Sequence, residues 1–416
     1  MFKYKKRFFI KMSQKGLIYF FENYLKKDPL FINKKALQSV YMPKAILHRD
    51  EQIQQLASIL APALREERPS NIFIYGKPGS GKSLTVQHVY SNMVSIAEKN
   101  KLNLKILYLN CKMKRIADTE YRLIAQLARE FGEEVPSTGL PTDEIYKLFI
   151  KAIEREKLML IIVLDEIDQL VKKIGDEILY NLTRLNTELK NAEICLVGIS
   201  NDLVFTDNLD PRVKSSLSEE EVVFPPYNAL QLQDILKQRA KIAFKEGIVE
   251  EGVIEKCAAY AAREHGDARR ALELLRVAGE ISERQAREVI KVNDIDAAED
   301  KIEKDRVIDI INTQPKQFKL TLYSIIKIYN NNSNNGMPIF TGEVYEIYKD
   351  LCFKVGLRPL TQRRLSDIIA ELDMLGIITT KVISKGRYGR TREVCMAVPN
   401  NIVHNADTIL KEGLSL

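Results

Sequence analysis

The run Gly76-Lys77-Pro78-Gly79-Ser80-Gly81-Lys82-Ser83 has residue types and a spacing suited to holding phosphate. It fits G-x-x-x-x-G-K-[ST]: the glycines let backbone N–H groups approach phosphate oxygens, Lys82 reaches the β- and γ-phosphates, and Ser83 offers a hydroxyl to Mg²⁺. Eighty-three residues after Lys82, an apolar run ends in Asp165-Glu166. Asp165 would hold Mg²⁺ through water opposite Ser83, and Glu166 would orient or deprotonate the attacking water. Asp168 reads as a helix-start acid rather than a catalyst. Asn201, at the end of the next apolar run, either positions that water from the γ-phosphate side or is an ordinary turn residue. Arg212 and Arg269 stand in the polar stretches Asp210-Pro211-Arg212-Val213-Lys214 and Gly266-Asp267-Ala268-Arg269-Arg270-Ala271-Leu272. Arginine stabilises charge on a transferring phosphoryl group, an effect of roughly 10³–10⁵ in rate.

These groups need elements to position them. Residues 71–75 read as a buried strand before the glycine-rich run, and residues from 84 onward as an apolar-periodic helix after it. The helix N-terminus then adds partial positive charge beside the phosphates. Strand-like runs at 72–75, 105–110, 158–164, 194–200 and 221–224 alternate with helical segments, which predicts an α/β fold with a mostly parallel sheet. Pro225-Pro226 punctuates the chain, and residues 229–293 read as all-helical with breaks at Gly247, Gly252 and Gly266. Residues 294–306 read as a charged linker.

The C-terminal part has a different pattern. Helices are expected at 318–329 and 343–355, flanking an Asn-rich loop at 330–336. Thr361 caps a third helix, whose apolar residues are Leu365, Ile368, Ile369, Leu372 and Leu375, and Gly376 ends it. Strand-like 377–383 and 390–398 flank the tip Ser384-Lys385-Gly386-Arg387-Tyr388-Gly389. Three helices and a β-hairpin make a winged helix-turn-helix. Gln362, Arg363, Arg364 and Ser366 open the third helix, where such residues meet base edges and phosphates of a major groove. The hairpin carries Lys381, Lys385, Arg387, Arg390 and Arg392 with no acid between 381 and 392, which suits phosphates or a minor groove. A protein-docking winged helix is the alternative.

Length and charge set the frame. The 416 residues fit about two to four domains. The composition, 45% apolar and 29% charged, is globular, and the longest apolar run, 158–164, falls far short of the roughly 20 residues of a membrane helix. Five scattered cysteines indicate neither disulfides nor zinc, so a reducing, cytoplasmic setting is expected. The net charge of +7 is uneven: residues 1–27 hold +7, 300–416 hold +4 and the middle −4. Positive ends suggest a polyanionic partner, with a disordered basic tail as the other reading of 1–27. Translation could begin at Met1 or Met12.

In these motifs the sequence resembles the AAA+ ATPases, and within them the archaeal origin-recognition-complex/Cdc-type replication initiators. The resemblance rests on Ala45-Ile46-Leu47-His48-Arg49-Asp50-Glu51, the P-loop, Leu164-Asp165-Glu166-Ile167-Asp168, Gly198-Ile199-Ser200-Asn201, Leu209-Asp210-Pro211-Arg212-Val213-Lys214-Ser215-Ser216 and the stretch 266–272. These run in the family's order from about Leu30 onward. The resemblance implies that Asn201 is sensor 1, Arg212 a finger acting on a neighbouring subunit's nucleotide, and Arg269 sensor 2. It also implies that His48 and Arg49 lie near the adenine, and that Tyr227 and Arg239 contact nucleotide. It further implies a helix after the second strand, here capped by Asp118 over 121–131, with Lys112, Lys114 and Arg115 near the DNA backbone.

The expected architecture is therefore a basic segment (1–27), an AAA+ P-loop NTPase core with a parallel sheet (28–226), a helical lid (227–299) and a C-terminal winged-helix domain (300–416). The resemblance implies an ATP- or ADP-binding, Mg²⁺-dependent replication initiator. Its partners would be double-stranded origin DNA, other initiator subunits and the replicative minichromosome-maintenance helicase. It would be nucleoid-associated, with no membrane partner and slow ATPase activity secondary to DNA binding. Two rivals stand beside it: a DNA-binding regulator in which nucleotide is a structural clamp, and a clamp-loader-like ATPase.

Overall fold

The computed structural model describes residues 28–112, 118–136, 139–217, 219–332, 338–384, 390–414 and 416, together with Phe21, Glu22 and Leu25. The chain divides into two compact units, Met1–Ile295 and Asp296–Leu416.

The first unit opens with α1 (Asp50–Leu60), β1 (Asn71–Tyr75), α2 (Lys82–Asn100), β2 (Leu104–Asn110), α3 (Glu120–Arg129) and α4 (Thr142–Ile153). It continues with β3 (Leu158–Asp165), α5 (Ile167–Ile174), α6 (Glu177–Arg184), β4 (Ala192–Ser200), α7 (Pro211–Leu217) and β5 (Glu219–Val223). The strands form one parallel sheet in the order β2-β3-β4-β1-β5. Every residue of β3 is buried, as expected for a parallel strand covered on both faces, where a continuous apolar run replaces alternation. The paired strands are in register at their C-terminal ends: Asn110 lies opposite Asp165, Asp165 opposite Ile199, and Tyr75 opposite Ser200. That shared edge is where open α/β sheets place ligands.

Three helices follow, α8 (Ala229–Ala243), α9 (Val253–Arg263) and α10 (Ala268–Arg284). Asn228 and Gln231 form a reciprocal capping box that starts α8. The segment before α1 is laced onto these helices. The N–H of Ile32 donates to the Ala243 carbonyl (2.8 Å), and the Phe31 and Phe244 rings pack with centroids 4.7 Å apart. Gly279 makes room for that pair, since a Cβ there would come within 2.6 Å of the Phe31 ring.

Two expectations are corrected along this part of the chain. Thr119, not Asp118, caps α3, accepting from the N–H of Arg122; Asp118 pairs instead with Arg122 and Lys173. Residues 294–306 are not a linker but part of α11 (Val292–Thr313). Asp294, 4% exposed, fixes its first turn by accepting from Ser282, from the Lys291 N–H and from both terminal nitrogens of Arg287.

The second unit contains α12 (Lys316–Asn332), β6 (Ile339–Phe340), α13 (Thr341–Val355), α14 (Gln362–Met374), β7 (Ile378–Ser384), β8 (Arg390–Met396) and α15 (Asn400–Leu414). Its antiparallel sheet runs β6-β8-β7. Thr361 caps α14 by accepting from the Arg364 N–H, and Gly376 takes the left-handed φ of 69° that stops it. Leu365, Ile368, Ile369 and Leu372 bury one face of α14 in a core shared with α12, α13 and α15. The short β6 and the final α15 extend the expected three helices and hairpin.

Candidate functional site

The C-terminal edge of the sheet and the lid enclose a cleft of about 400 Å³. Pro78, Gly79, Gly81, Lys82 and Ser83 form its floor, Tyr108, Asn110, Asp165, Glu166 and Asn201 one wall, and Tyr227, Arg239, Ala268, Arg269 and Leu272 the lid side. Gly79 (φ 73°) and Gly81 (φ 91°) turn the loop in conformations that L side chains resist. Gly81 is also the N-cap of α2, so the first N–H groups of that helix open toward the loop.

Lys82 is 5% exposed and, among the described residues, its ammonium meets no carboxylate directly. Its ammonium donates to the carbonyls of Gly76 (2.5 Å) and Lys77 (2.9 Å) and to Asn201 Oδ1 (2.9 Å). Burial pushes its pKa down to about 8, only partly countered by Asp165, while Arg269 adds to the depression. A buried ammonium flanked by a lid arginine fits an anion in the cleft. Arg239, also buried, adds to that fit: it stacks 4.6 Å from the Tyr41 ring centroid, and its Nη1 has no partner among the described residues.

Asp165, 7% exposed, accepts from Ser83 Oγ (2.9 Å) and from the Glu166 N–H (3.0 Å), and also from the Tyr108 hydroxyl. This is an all-oxygen donor set, the kind a hard divalent cation such as Mg²⁺ takes, and Ser83 and Asp165 would hold it. Glu166 has φ 57°, a left-handed conformation at a non-glycine residue directly after the strand. Lys112 approaches its carboxylate at 3.9 Å. Asp168 serves as a support: 3% exposed, it reaches the Asn201 N–H at 3.5 Å and so helps hold the amide that meets Lys82.

Several of the expected residues are not among those lining the cleft. His48 and Arg49 are not among the residues lining the cleft, although Ala45, Ile46 and Leu47 directly before them are. Arg49 is 2% exposed and turns onto backbone instead, donating to the carbonyls of Ser80 (2.9 Å), His48 (2.9 Å) and Pro225 (2.6 Å), with its guanidinium 3.8 Å from the Tyr227 ring centroid. His48 pairs with Asp234 of α8 at 3.0 Å. The cleft wall in this region comes from Ser39, Val40, Pro43, Ala45, Ile46 and Leu47, none of which has a side chain that announces a site. Gly76 and Ser80 support the loop from behind rather than lining it; a Cβ on Gly76 would sit 2.6 Å from the Phe224 carbonyl. Arg212 lies outside the cleft, its side chain 84% exposed and paired with Asp210. Of the adjacent arginines, Arg269 lines the cleft and Arg270 pairs with Glu264 at 3.3 Å.

On the expected nucleic-acid surfaces, Lys112 is exposed, and Lys114 and Arg115 lie outside the described residues. Gln362, Arg363 and Arg364 are exposed at the start of α14, with Arg364 near Asp367 at 3.5 Å. Lys385, Arg387 and Tyr388 lie outside the described residues, and Arg390 begins β8. Arg392 braces the hairpin against α14 by donating to the Ser366 carbonyl (3.2 Å).

A parallel sheet in this order, a P-loop and a three-helix lid closing on one cleft define a nucleotide-binding module of the AAA+ class. Family models match accordingly: an AAA domain over residues 65–204, a Cdc6 AAA+ ATPase-type lid domain over 233–300, and a CDC6 C-terminal winged helix domain over 309–406. The chain is 50% identical over 396 residues to the ORC1-type DNA replication protein 1 of Methanosarcina mazei, covering 95% of this chain and 94% of that one. It is 53% identical over 389 residues to the ORC1-type DNA replication protein of Pyrococcus abyssi, covering 92% and 91%. The solved structure of the Aeropyrum pernix ORC1 protein in complex with DNA superposes with a TM-score of 0.82 at 45% identity, covering 93% of this chain and 98% of that one. The chain belongs to the family of ORC1-type DNA replication proteins. Among the described residues, no helix is long and apolar enough to cross a membrane.

Proposed function

We propose that this protein is a DNA replication initiator that binds ATP or ADP in the core–lid cleft and binds duplex origin DNA. The observation that carries the nucleotide half is the buried Lys82 ammonium, held by two P-loop carbonyls and Asn201 in a cleft that Arg269 enters from the lid. Similarity to a solved ORC1 protein in complex with DNA supports the DNA half. Gln362, Arg363 and Arg364 at the exposed start of α14, and the basic hairpin, are the residues assigned to duplex contact. Lys112, Lys114 and Arg115 are assigned to the DNA backbone.

The chemistry assigned to the cleft follows from its residues. Lys82 and the P-loop N–H groups bind the phosphates, and Arg269 senses them from the lid. A divalent cation held by Ser83 and Asp165 would neutralise phosphate charge. Glu166 takes the proton of the attacking water, and Asn201 orients that water. Arg212, exposed and outside its own cleft, is free to serve a neighbouring initiator subunit, so an isolated chain hydrolyses slowly. The bound initiator helps recruit the replicative helicase and resides with the nucleoid in the cytoplasm. Chromatin immunoprecipitation tests the role as a whole: enrichment at replication origins is expected, and an even genomic signal would refute it.

One observation favours a second reading. The Arg212–Asp210 pair lies outside the chain's own cleft, which also suits a regulator using nucleotide as a clamp. Loss of DNA-stimulated hydrolysis in Glu166→Gln, with DNA binding retained, separates an ATPase from a clamp that hydrolyses nothing of consequence.

A further inference from the structure

Tyr108 has no assigned role in the nucleotide chemistry, yet its hydroxyl reaches the acid at the centre of that chemistry. It sits on β2 two residues before Asn110, on the same face, and both line the cleft. Asn110 is in register with Asp165, so the strand pairing itself brings the Tyr108 hydroxyl alongside the carboxylate. There it donates to Asp165 Oδ2, the same oxygen that accepts from Ser83 Oγ at 2.9 Å. Asp165 Oδ1 accepts from the Glu166 N–H at 3.0 Å. A buried carboxylate is thus held by three neutral donors, and the one contributed by β2 is a side chain with a fixed ring.

The ring is braced as well. Tyr90, on α2 two turns after Ser83, packs against it with centroids 6.1 Å apart and planes tilted by 43°. The Tyr90 hydroxyl, buried nearby, has no hydrogen-bond partner among the described residues. Of the two adjacent phenols, only Tyr108 engages the acid.

We propose that Tyr108 is a positioning residue of the divalent-cation site, its hydroxyl fixing the Asp165 carboxylate in the orientation from which it and Ser83 hold the ion. Hydrogen bonds that orient a ligating carboxylate typically matter by 10–100-fold in metal affinity. The inference rests on the reading of Asp165 as the cation-holding acid, and its test separates the two. Mn²⁺ serves as the spectroscopic probe, titrated into the full-length protein saturated with ADP and followed by electron paramagnetic resonance. ADP affinity in the presence of a chelator is measured alongside.

Tyr108→Phe is expected to weaken Mn²⁺ binding about tenfold, with the chelator-measured ADP affinity and the melting temperature of the metal-free protein little changed. Tyr90→Phe, which removes an unpartnered hydroxyl, should leave Mn²⁺ affinity at the wild-type value. Asp165→Asn should weaken Mn²⁺ more than Tyr108→Phe does. If Asp165→Asn is impaired while Tyr108→Phe binds Mn²⁺ as tightly as wild type, the role of Tyr108 is refuted and the reading of Asp165 stands. If Asp165→Asn itself is unimpaired, the cation-site reading fails and the Tyr108 inference falls with it.

Discussion

The carboxylate of Asp267 caps α10 and at the same time lies against Gly79 at the apex of the P-loop. Its Oδ1 accepts from the Arg269 N–H at 2.7 Å, and a Cβ on Gly79 would fall 1.7 Å from that same oxygen. The N–H of Ala268 also donates to the Gly79 carbonyl at 3.3 Å. The start of the helix that carries Arg269 is therefore seated directly on the phosphate loop, at a point where a side chain on residue 79 would not fit.

Gly79→Ala should break that seat. The substitution places a side chain at φ 73°, costing about 1–2 kcal/mol, and drives it into Asp267. Thermal melts with and without ADP should show a modest loss of stability in the free protein and loss of most of the ADP-induced shift. A full ADP-induced shift would mean that the lid does not need this contact.

Lys82 gives the cleft a pH dependence with opposite signs for stability and for binding. Burial lowers its pKa to about 8 in the folded protein, against about 10.4 for an unperturbed lysine. Between those values the unfolded chain binds more protons than the folded one, so stability of the nucleotide-free protein gains from this group as pH rises from about 8 to 10.4. Below pH 8 lysine is charged in both states and contributes no slope. Nucleotide binding needs the charged form, so ADP affinity should fall above pH 8, approaching tenfold per unit. ADP calorimetry of wild type from about pH 7 to 9.5 checks the binding slope, and thermal melts of Lys82→Met over the same range should lack this group's contribution to the stability slope.

Much of this site was legible because its parts are contiguous. The P-loop, the apolar run ending in Asp165-Glu166 and the Asp267-Ala268-Arg269 turn each carry their own local signal. What escaped reading depends on distant partners. The contacts of Arg49 involve Ser80 and Pro225, the latter 176 residues away, and the wall residues Ser39, Val40 and Pro43 carry no signal of a site. The choice between Arg269 and Arg270 needed Glu264 to claim Arg270. The charged stretch 294–306 reads as a linker because its helix shows no apolar stripe, while the feature that anchors it, Asp294 bound by Arg287 and Ser282, spans a turn. On α3, Asp118 and Thr119 are adjacent capping types, and only the observed hydrogen bond to Thr119 distinguishes them.

Arg212 offers a separation of binding from turnover. Its side chain is exposed and paired with Asp210, so Arg212→Ala should leave ADP affinity and stability unchanged. In preparations assembled on DNA it should lower ATP turnover by about 10³-fold or more, as loss of an arginine finger does. Equal turnover in the variant would remove Arg212 from the chemistry and favour the clamp reading.

Arg363, exposed at the start of α14, tests the assigned duplex contact. If it meets a phosphate, Arg363→Ala should weaken binding to every duplex and reduce the slope of log affinity against log salt by about one. If it reads a base edge, the loss should be confined to one position of the preferred site, at about 1–3 kcal/mol. Titrations of specific and random duplexes at several salt concentrations distinguish these, and an unchanged affinity for both would exclude contact.

Isothermal titration of ADP into wild type, Lys82→Ala and Arg269→Ala tests the central claim most directly. The account predicts one site per chain in wild type, near-complete loss in Lys82→Ala, and a weaker but measurable site in Arg269→Ala. Undiminished binding in Lys82→Ala, or no binding by folded wild-type protein, would contradict it.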